Sequence, residues 1–318
     1  MNRRDMLQFT AALGLAAAGA HASESAAPKG SAASQEFSPL TPPADGRIPV
    51  AFVLSQGAVV IDFAGPWEVF DNVDVPGPHR HPFEMYTVAD TAAPIEVSGG
   101  MKVAPNYTIA NAPQPKVIVV PAQSDPSEAL LGWIRAASAT TDLTMSVCTG
   151  AFVLAKTGLL DGKAATTHHS AYGELAAEYP AVKVKRGARF VDLGTIASSG
   201  GLTSGMDLAL HVVDRYFGRA TALRTADNLE YQGIGWMNAD SNVAYAQRRV
   251  STDAHPLCAV CEMDILDRAT APSSVYHGKT YYFCMMDHKK LFDASPERIL
   301  AGRSTIYSHA LAPVFLQA

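Results

Sequence analysis

Four short apolar runs are spaced through the middle of the chain: Ile48–Leu54, Phe83–Val88, Lys116–Pro121 and Leu143–Val147. Each is nearly continuous rather than alternating, which predicts strands covered on both faces. Between them, apolar positions recur at helical spacing over Ala64–Phe70, Ser127–Ala137 and Ala151–Leu160. Strand alternating with helix predicts an α/β fold with a mostly parallel sheet and helices on both faces. Val182–Ser198 predicts additional strands. Met206–Phe217, with Leu208, His211, Val212 and Arg215 on one stripe, predicts an amphipathic helix, and Leu223–Tyr231 the last helix of a domain covering 47–232. Residues 233–254 have little periodicity and read as a linker. From His255 to about residue 301 the texture changes: three cysteines, three methionines and several aromatics crowd a segment too small for an ordinary core. Such a unit needs a metal, a disulfide or a neighbouring surface to hold it. A tail, 302–318, follows.

The N-terminal pattern changes the expected compartment. Arg3-Arg4 precede an apolar run from Phe9 to Ala18 and then Ala20-His21-Ala22. This reads as a twin-arginine export signal over 1–22, and hence as a periplasmic protein. A membrane anchor is the alternative, but a run of about 10 residues falls short of the roughly 20 that span a bilayer. The Ala, Ser, Pro and Gly of 23–46 read as a disordered spacer. Cleavage removes two positive charges and one negative, taking the formal charge from −5 to −6. A mildly acidic body without a basic stripe argues against nucleic acid as a partner, and no other run is long enough to span a membrane.

Four cysteines are too few for a disulfide scaffold, and their placement divides them. Cys148 stands alone, whereas Cys258, Cys261 and Cys284 share one segment. Met145–Gly150 places Cys148 where a buried strand turns into a helix, at the sheet edge where α/β folds bind ligands. Such a turn projects a nucleophile outward, Gly150 gives the backbone room, and the helix N-terminus favours a thiolate or a developing oxyanion. The same cysteine also fits a buried, inert thiol. Asp62 follows the first strand and ends at the same edge, as an acid/base partner or as a cap for a helix beginning near Gly65. Ala165–His169 reads as a short strand ending in two histidines, with His168 one strand–helix–strand unit from Cys148.

Ile61-Asp62-Phe63-x-Gly65-Pro66-x-Glu68-Val69-Phe70, Val147-Cys148-Thr149-Gly150-Ala151, Gly158–Gly162, Ala165–His168, Ser199–His211 and Glu230-Tyr231 occur in that order. Together they resemble the ThiJ/PfpI superfamily, within the class I glutamine amidotransferase-like fold, over Ile48 to Tyr231. The resemblance implies a flavodoxin-like three-layer sandwich, no cofactor for the large domain, and a homodimer. The Asp-Phe-x-Gly-Pro and Cys-Thr-Gly segments resemble the isonitrile hydratase branch and the ligand-sensing halves of certain transcription regulators. That likeness implies Cys148 as nucleophile on an isonitrile carbon, Asp62 as acid/base and Thr149 as an assisting donor, with His168 nearby. Gly65 and Gly150 would then border the substrate and oxyanion region. The alternative it leaves open is a periplasmic ligand- or metal-binding protein without turnover.

Cys258-x-x-Cys261 followed by Cys284-x-x-x-His288 offers four ligands for one metal ion. Met263, Met285 and Met286 beside them would favour Cu(I), and zinc fits the Cys258, Cys261, Cys284 and His288 set. A Cys258–Cys261 disulfide with methionines as core filler is the alternative. Cys261-x-Met263, Tyr276-x-Gly278–Cys284, Lys289, Phe292 and Pro296-Glu297 resemble the YHS domain. Two positions depart from it: Glu262 stands where glycine is common, and His288 where a second cysteine is often found.

Overall fold

A computed structural model describes residues 37–124 and 126–304, with the side chains of 301–304 excepted. The expected export signal, the spacer up to residue 36 and the tail from 305 lie outside the described residues.

The apolar runs form the strands they predict. The central sheet contains β1 (Ile48–Val53), β2 (Phe83–Ala89), β3 (Tyr107–Thr108), β4 (Val117–Val120), β5 (Leu143–Ser146), β6 (Phe190–Asp192) and β7 (Ile196–Ser199). Their order is β6-β7-β5-β4-β1-β2-β3, and every pairing is parallel except β6 with β7. The helices are α1 (Val60–Asp71), α2 (Glu128–Ser138), α3 (Gly150–Lys156), α4 (Tyr172–Glu178), α5 (Ser204–Phe217) and α6 (Arg219–Asn228).

Alternation along β1 divides the core in two. Val50 and Phe52 face α1 and α5, in a cluster with Phe63, Val69, Leu208 and Val212. Ala51 and Val53 face the opposite layer, with Leu130, Ile134, Leu154 and Leu175 of α2, α3 and α4. Successive strand side chains point to opposite faces, so a strand covered twice must be apolar throughout. The result is the expected flavodoxin-like three-layer sandwich. No helix among the described residues is long and apolar enough to cross a membrane.

Two expectations change. Residues 37–46, read as the end of a disordered spacer, are docked. The Phe37 ring meets His211 edge-on at 4.5 Å, Leu40 N–H donates to Arg215 O at 2.8 Å, and Arg215 Nε donates to Ser38 O at 3.0 Å. Residues 233–254, read as a linker, lie against the domain instead. Trp236 is fully buried, its N–H donates to Asp207 Oδ1 at 2.9 Å, and Arg186 Nε donates to Ala246 O at 3.2 Å. In both segments one or two aromatic anchors outweigh a polar, aperiodic context.

Beyond residue 255, β8 (Ser273–Tyr276) and β9 (Lys279–Tyr282) make an antiparallel hairpin followed by α7 (Met286–Ala294) and α8 (Pro296–Ser304). The hairpin turn is His277-Gly278, both in the left-handed region, as a two-residue turn between twisted strands requires. Its small core joins Cys258, Val260, Cys261, Ile265, Phe283 and Phe292 to Ala177 of α4. The module therefore completes its core on the larger domain's surface.

A buried ion network closes the far edge of the sheet: Asp192 accepts from Arg215 Nη1 at 3.0 Å, and His211 Nε2 lies 2.8 Å from it. Arg215→Met leaves the Asp192 carboxylate short of its cation and frees the 37–40 segment. It is expected to cost about 3–5 kcal/mol in urea unfolding, whereas Leu223→Ala, half-exposed on α6, changes stability by less than about 1 kcal/mol.

Candidate active site and metal centre

Cys148 sits between β5 and α3 with φ of +58°, in the left-handed region that side chains other than glycine's rarely adopt. The surroundings hold it there. Its N–H donates to Gly200 O at 2.9 Å, and its carbonyl accepts from Thr167 Oγ1 at 2.9 Å. Gly150 meets the end of β4 so closely that a Cβ there would lie 2.2 Å from Val120 O. Only glycine allows α3 to start at that point.

Asp62 is fully buried and belongs to the first turn of α1. The helix begins at Val60 rather than near Gly65, so Asp62 is not its cap. Its Oδ2 accepts from Ala122 N–H at 3.1 Å, just past the end of β4, while Oδ1 meets no partner of hydrogen-bonding geometry. The carboxyl lies beside the Cys148 thiol, and each perturbs the other. Burial pushes Asp62 up to about 6, against the pull of the Ala122 N–H and the thiol. Burial, then the Asp62 charge, pushes Cys148 up to about 11. The Thr149 N–H, the Leu202 N–H and the Thr149 hydroxyl act on the sulfur in the opposite sense. The resting pair is thus a neutral thiol beside a carboxyl that changes protonation close to neutrality. Three donors stand ready for negative charge on sulfur or on an adduct.

The remaining expected residues divide. Thr149 is at the sulfur. Gly150 is adjacent, but its N–H donates to Val147 O at 2.9 Å, so it shapes the turn rather than offering a donor. Gly65 is the sixth residue of α1, beyond the helix's free N–H groups. A Cβ on it would lie 2.9 Å from Met206 Cγ, so Gly65 sets the approach of α1 to α5 rather than an oxyanion site. His168 lies at the rim, its Nδ1 2.8 Å from Ser170 Oγ and its ring against Gly201. Burial, then His169, lowers its pKa. The strand-end group that bonds Cys148 is Thr167. Leu202 was absent from the expected site, although it lies inside the quoted Ser199–His211 run. Its φ of +41° turns its N–H toward the thiol, and nothing in a leucine's side chain announces that role.

The second cysteine group is assembled as the spacing predicts. The donor atoms of Cys258, Cys261, Cys284 and His288 all lie within 4.8 Å of one another. Cys261 Sγ is 3.5 Å from Cys284 Sγ, and His288 Nδ1 is 3.1 Å from Cys284 Sγ and 3.5 Å from Cys258 Sγ. All four cysteines are free, so the Cys258–Cys261 disulfide does not form here. A tetrahedral ion bound about 2.3 Å from sulfur needs donor–donor edges of about 3.8 Å, close to those observed. These residues fit a four-coordinate metal. Met263, Met285 and Met286 are each about half exposed. Hydrogen bonding from Cys261 holds Cys258 well below the ordinary thiol range. Burial lowers His288, but hydrogen bonds to Cys258 and Glu174 outweigh it and bring the imidazole up to about 10.

Residues 49–215 match the DJ-1/PfpI family. The chain is 33% identical over 188 residues to the isonitrile hydratase of Pseudomonas putida, covering 57% of this chain and 78% of that protein. It is 25% identical over 159 residues to the HTH-type transcriptional regulator GbdR of Pseudomonas aeruginosa, covering 49% of this chain and 43% of the regulator. It thus spans less than half of that relative. Among solved structures, a THiJ/PfpI family protein from Pseudomonas syringae aligns with a TM-score of 0.53 at 24% identity, over 66% of this chain and 84% of that one.

The Asp62 shift has a definite sign. Its raised value contributes stability below the usual carboxyl range that is lost as pH climbs through about 6. Asp62→Asn is therefore expected to be more stable than the wild type at pH 8, by on the order of 1–3 kcal/mol, with the gap closing by pH 4 in thermal or urea unfolding. The same variant removes the charge that raises Cys148, so iodoacetamide labelling of Cys148 should begin at lower pH. An unchanged labelling profile would show that the two groups are not coupled.

Proposed function

Within the DJ-1/PfpI family, to which this chain belongs, we propose that the protein is a cysteine-dependent hydratase converting isonitriles to N-substituted formamides. The observation that carries the reading is the buried Asp62 carboxyl against the Cys148 thiol at a strained strand-to-helix turn. The hydratase relative from Pseudomonas putida supports the substrate class. Export to the periplasm rests on Arg3-Arg4 and the Ala20-His21-Ala22 site, and a homodimer on the family likeness.

The chemistry follows from the pair. Asp62 takes the thiol proton as the Cys148 sulfur bonds to the isonitrile carbon, and that proton is returned to the same carbon, giving a thioimidate. Water, deprotonated by Asp62, adds to the thioimidate carbon while the nitrogen gains a proton. The carbon–sulfur bond then breaks, sulfur recovers its proton, and the N-substituted formamide leaves. Isonitrile and water are consumed in equal amounts, with no change of redox state. The Thr149 and Leu202 donors stabilise sulfur or oxygen charge along this path. An acid/base group with a pKa near the working pH is the efficient choice for a step that needs both roles.

We assign the C-terminal module a structural zinc held by Cys258, Cys261, Cys284 and His288. The three-thiolate, one-imidazole set is a familiar zinc combination. Cu(I), which Met263, Met285 and Met286 beside the thiolates would favour, is the alternative ion.

One observation favours a second reading, a ligand-binding protein without turnover: Cys148 is only 7% exposed, and its thiol is held neutral. Cys148→Ala separates the two readings. An enzyme loses formamide production by at least about 1,000-fold, whereas a binding protein keeps its ligand affinity. Asp62→Asn is expected to lower turnover by about 100- to 10,000-fold. Unchanged isonitrile across alkyl and aryl substrates, followed by infrared loss of the N≡C stretch, would contradict the hydratase reading.

A further inference from the structure

We propose that Glu174, on α4 of the DJ-1/PfpI domain, is the carboxylate that orients metal ligand His288. Metal uptake by the C-terminal cysteines would then fasten that module to the domain carrying Cys148. The inference rests on the metal reading above and assigns a residue outside the four ligands.

The two imidazole nitrogens of His288 face different ways. Nδ1 points at the sulfurs, 3.1 Å from Cys284 and 3.5 Å from Cys258. Nε2 points at Glu174 Oε1, 3.3 Å away. A histidine that gives Nδ1 to a metal must carry its proton on Nε2, and a carboxylate facing that N–H selects the tautomer and fixes the ring. His288 is 2% exposed, and its Nε2 has no other partner of good hydrogen-bond geometry. Glu174 Oε1 is the acceptor within reach of that nitrogen.

The backbone is built to put Glu174 there. A Cβ on the preceding residue, Gly173, would lie 2.0 Å from Val260 O, inside the Cys258-x-x-Cys261 turn. No residue but glycine lets the first turn of α4 come so close. One turn later, Ala177 enters the module's apolar core. A second bridge runs alongside: Arg186 Nη2 donates to Glu262 Oε2 at 2.9 Å, with its guanidinium 4.9 Å above the Tyr172 ring. Glu262 keeps a φ of +65°, the conformation a glycine adopts without strain, and uses its carboxylate on Arg186 and on Arg249 N–H. A glutamate here trades backbone ease for a contact with the larger domain. α4 also follows closely on Thr167, whose hydroxyl holds the Cys148 carbonyl. The segment between them joins the cysteine elbow to the metal cluster.

The test uses the full chain, reduced and metal-free. Zinc affinity is measured by chelator competition, Co(II) spectra report the coordination sphere, and hydrogen–deuterium exchange follows residues 170–178. The wild type is expected to bind one equivalent and to gain protection over that segment. Glu174→Gln should leave the apo chain folded by far-UV circular dichroism, weaken zinc by about 10- to 100-fold, alter the Co(II) bands and abolish the added protection. Glu174→Asp should restore part of the affinity, and Glu178→Gln, exposed on the same helix, should match the wild type. Wild-type affinity, spectrum and protection in Glu174→Gln would overturn the inference while leaving the metal site standing. Failure of the wild type itself to take up zinc would overturn the metal reading, and this inference with it.

Discussion

The left-handed backbone at Cys148 is the constraint on which the rest of the site depends. That conformation costs on the order of 1–3 kcal/mol for a residue with a side chain, and it persists only where neighbours over-determine it. Gly200 accepts the Cys148 N–H, Thr167 holds its carbonyl, and Gly150 lets α3 begin against the carbonyls at the end of β4. Gly200 lies just past β7 and Val120 ends β4 in the central sheet, while Thr167 follows a strand, Ala164–Ala165, that pairs outside it. The sulfur is therefore placed by these separate segments rather than by its own turn. Asp62 meets it because α1 begins early enough to carry that residue over Ala122.

Much of this was legible in the residues themselves. Apolar runs such as Ile48–Leu54 are strands because only a strand covered on both faces needs every side chain apolar, and β1 divides its residues between two cores accordingly. Cys148 and Asp62 were readable as residues ending at one sheet edge. The Cys-x-x-Cys and Cys-x-x-x-His spacings were readable as ligands sharing a turn. Less legible were contributions made by backbone alone. The Leu202 N–H acts through a positive φ, and Gly65 serves helix packing rather than substrate, which only the α1–α5 approach reveals. His168 was read as lying near Cys148, whereas the hydrogen bond to the Cys148 carbonyl is made by the neighbouring Thr167 hydroxyl. Residues 37–46 looked loose from their spacer-like composition, and 233–254 because they lack periodicity. They are docked by Phe37, Leu40 and Trp236, single anchors that no periodicity reports.

The chain places its cysteines in two opposite electrostatic settings. Cys148 is kept neutral by burial and a neighbouring acid, which suits a thiol that must form and release a covalent bond in one cycle. Cys258 is held as a thiolate among soft donors, which suits permanent ligation. Burial of both groups is similar; what differs is the charge beside them. A carboxyl faces one, and an imidazolium and other thiols face the other. The small module lacks enough apolar surface to stand alone and closes its core on Ala177 of α4, so its stability and the geometry of the larger domain share residues.

In the proposed reaction Cys148 attacks substrate covalently with Asp62 beside it. Intact-mass and peptide mass spectrometry of acid-quenched protein during turnover of an isonitrile tests it most directly. A mass increase equal to the isonitrile is expected on the peptide containing Cys148, reduced in Asp62→Asn and absent in Cys148→Ser. Formamide production by Cys148→Ser at the wild-type rate, with no adduct on any cysteine, would contradict it.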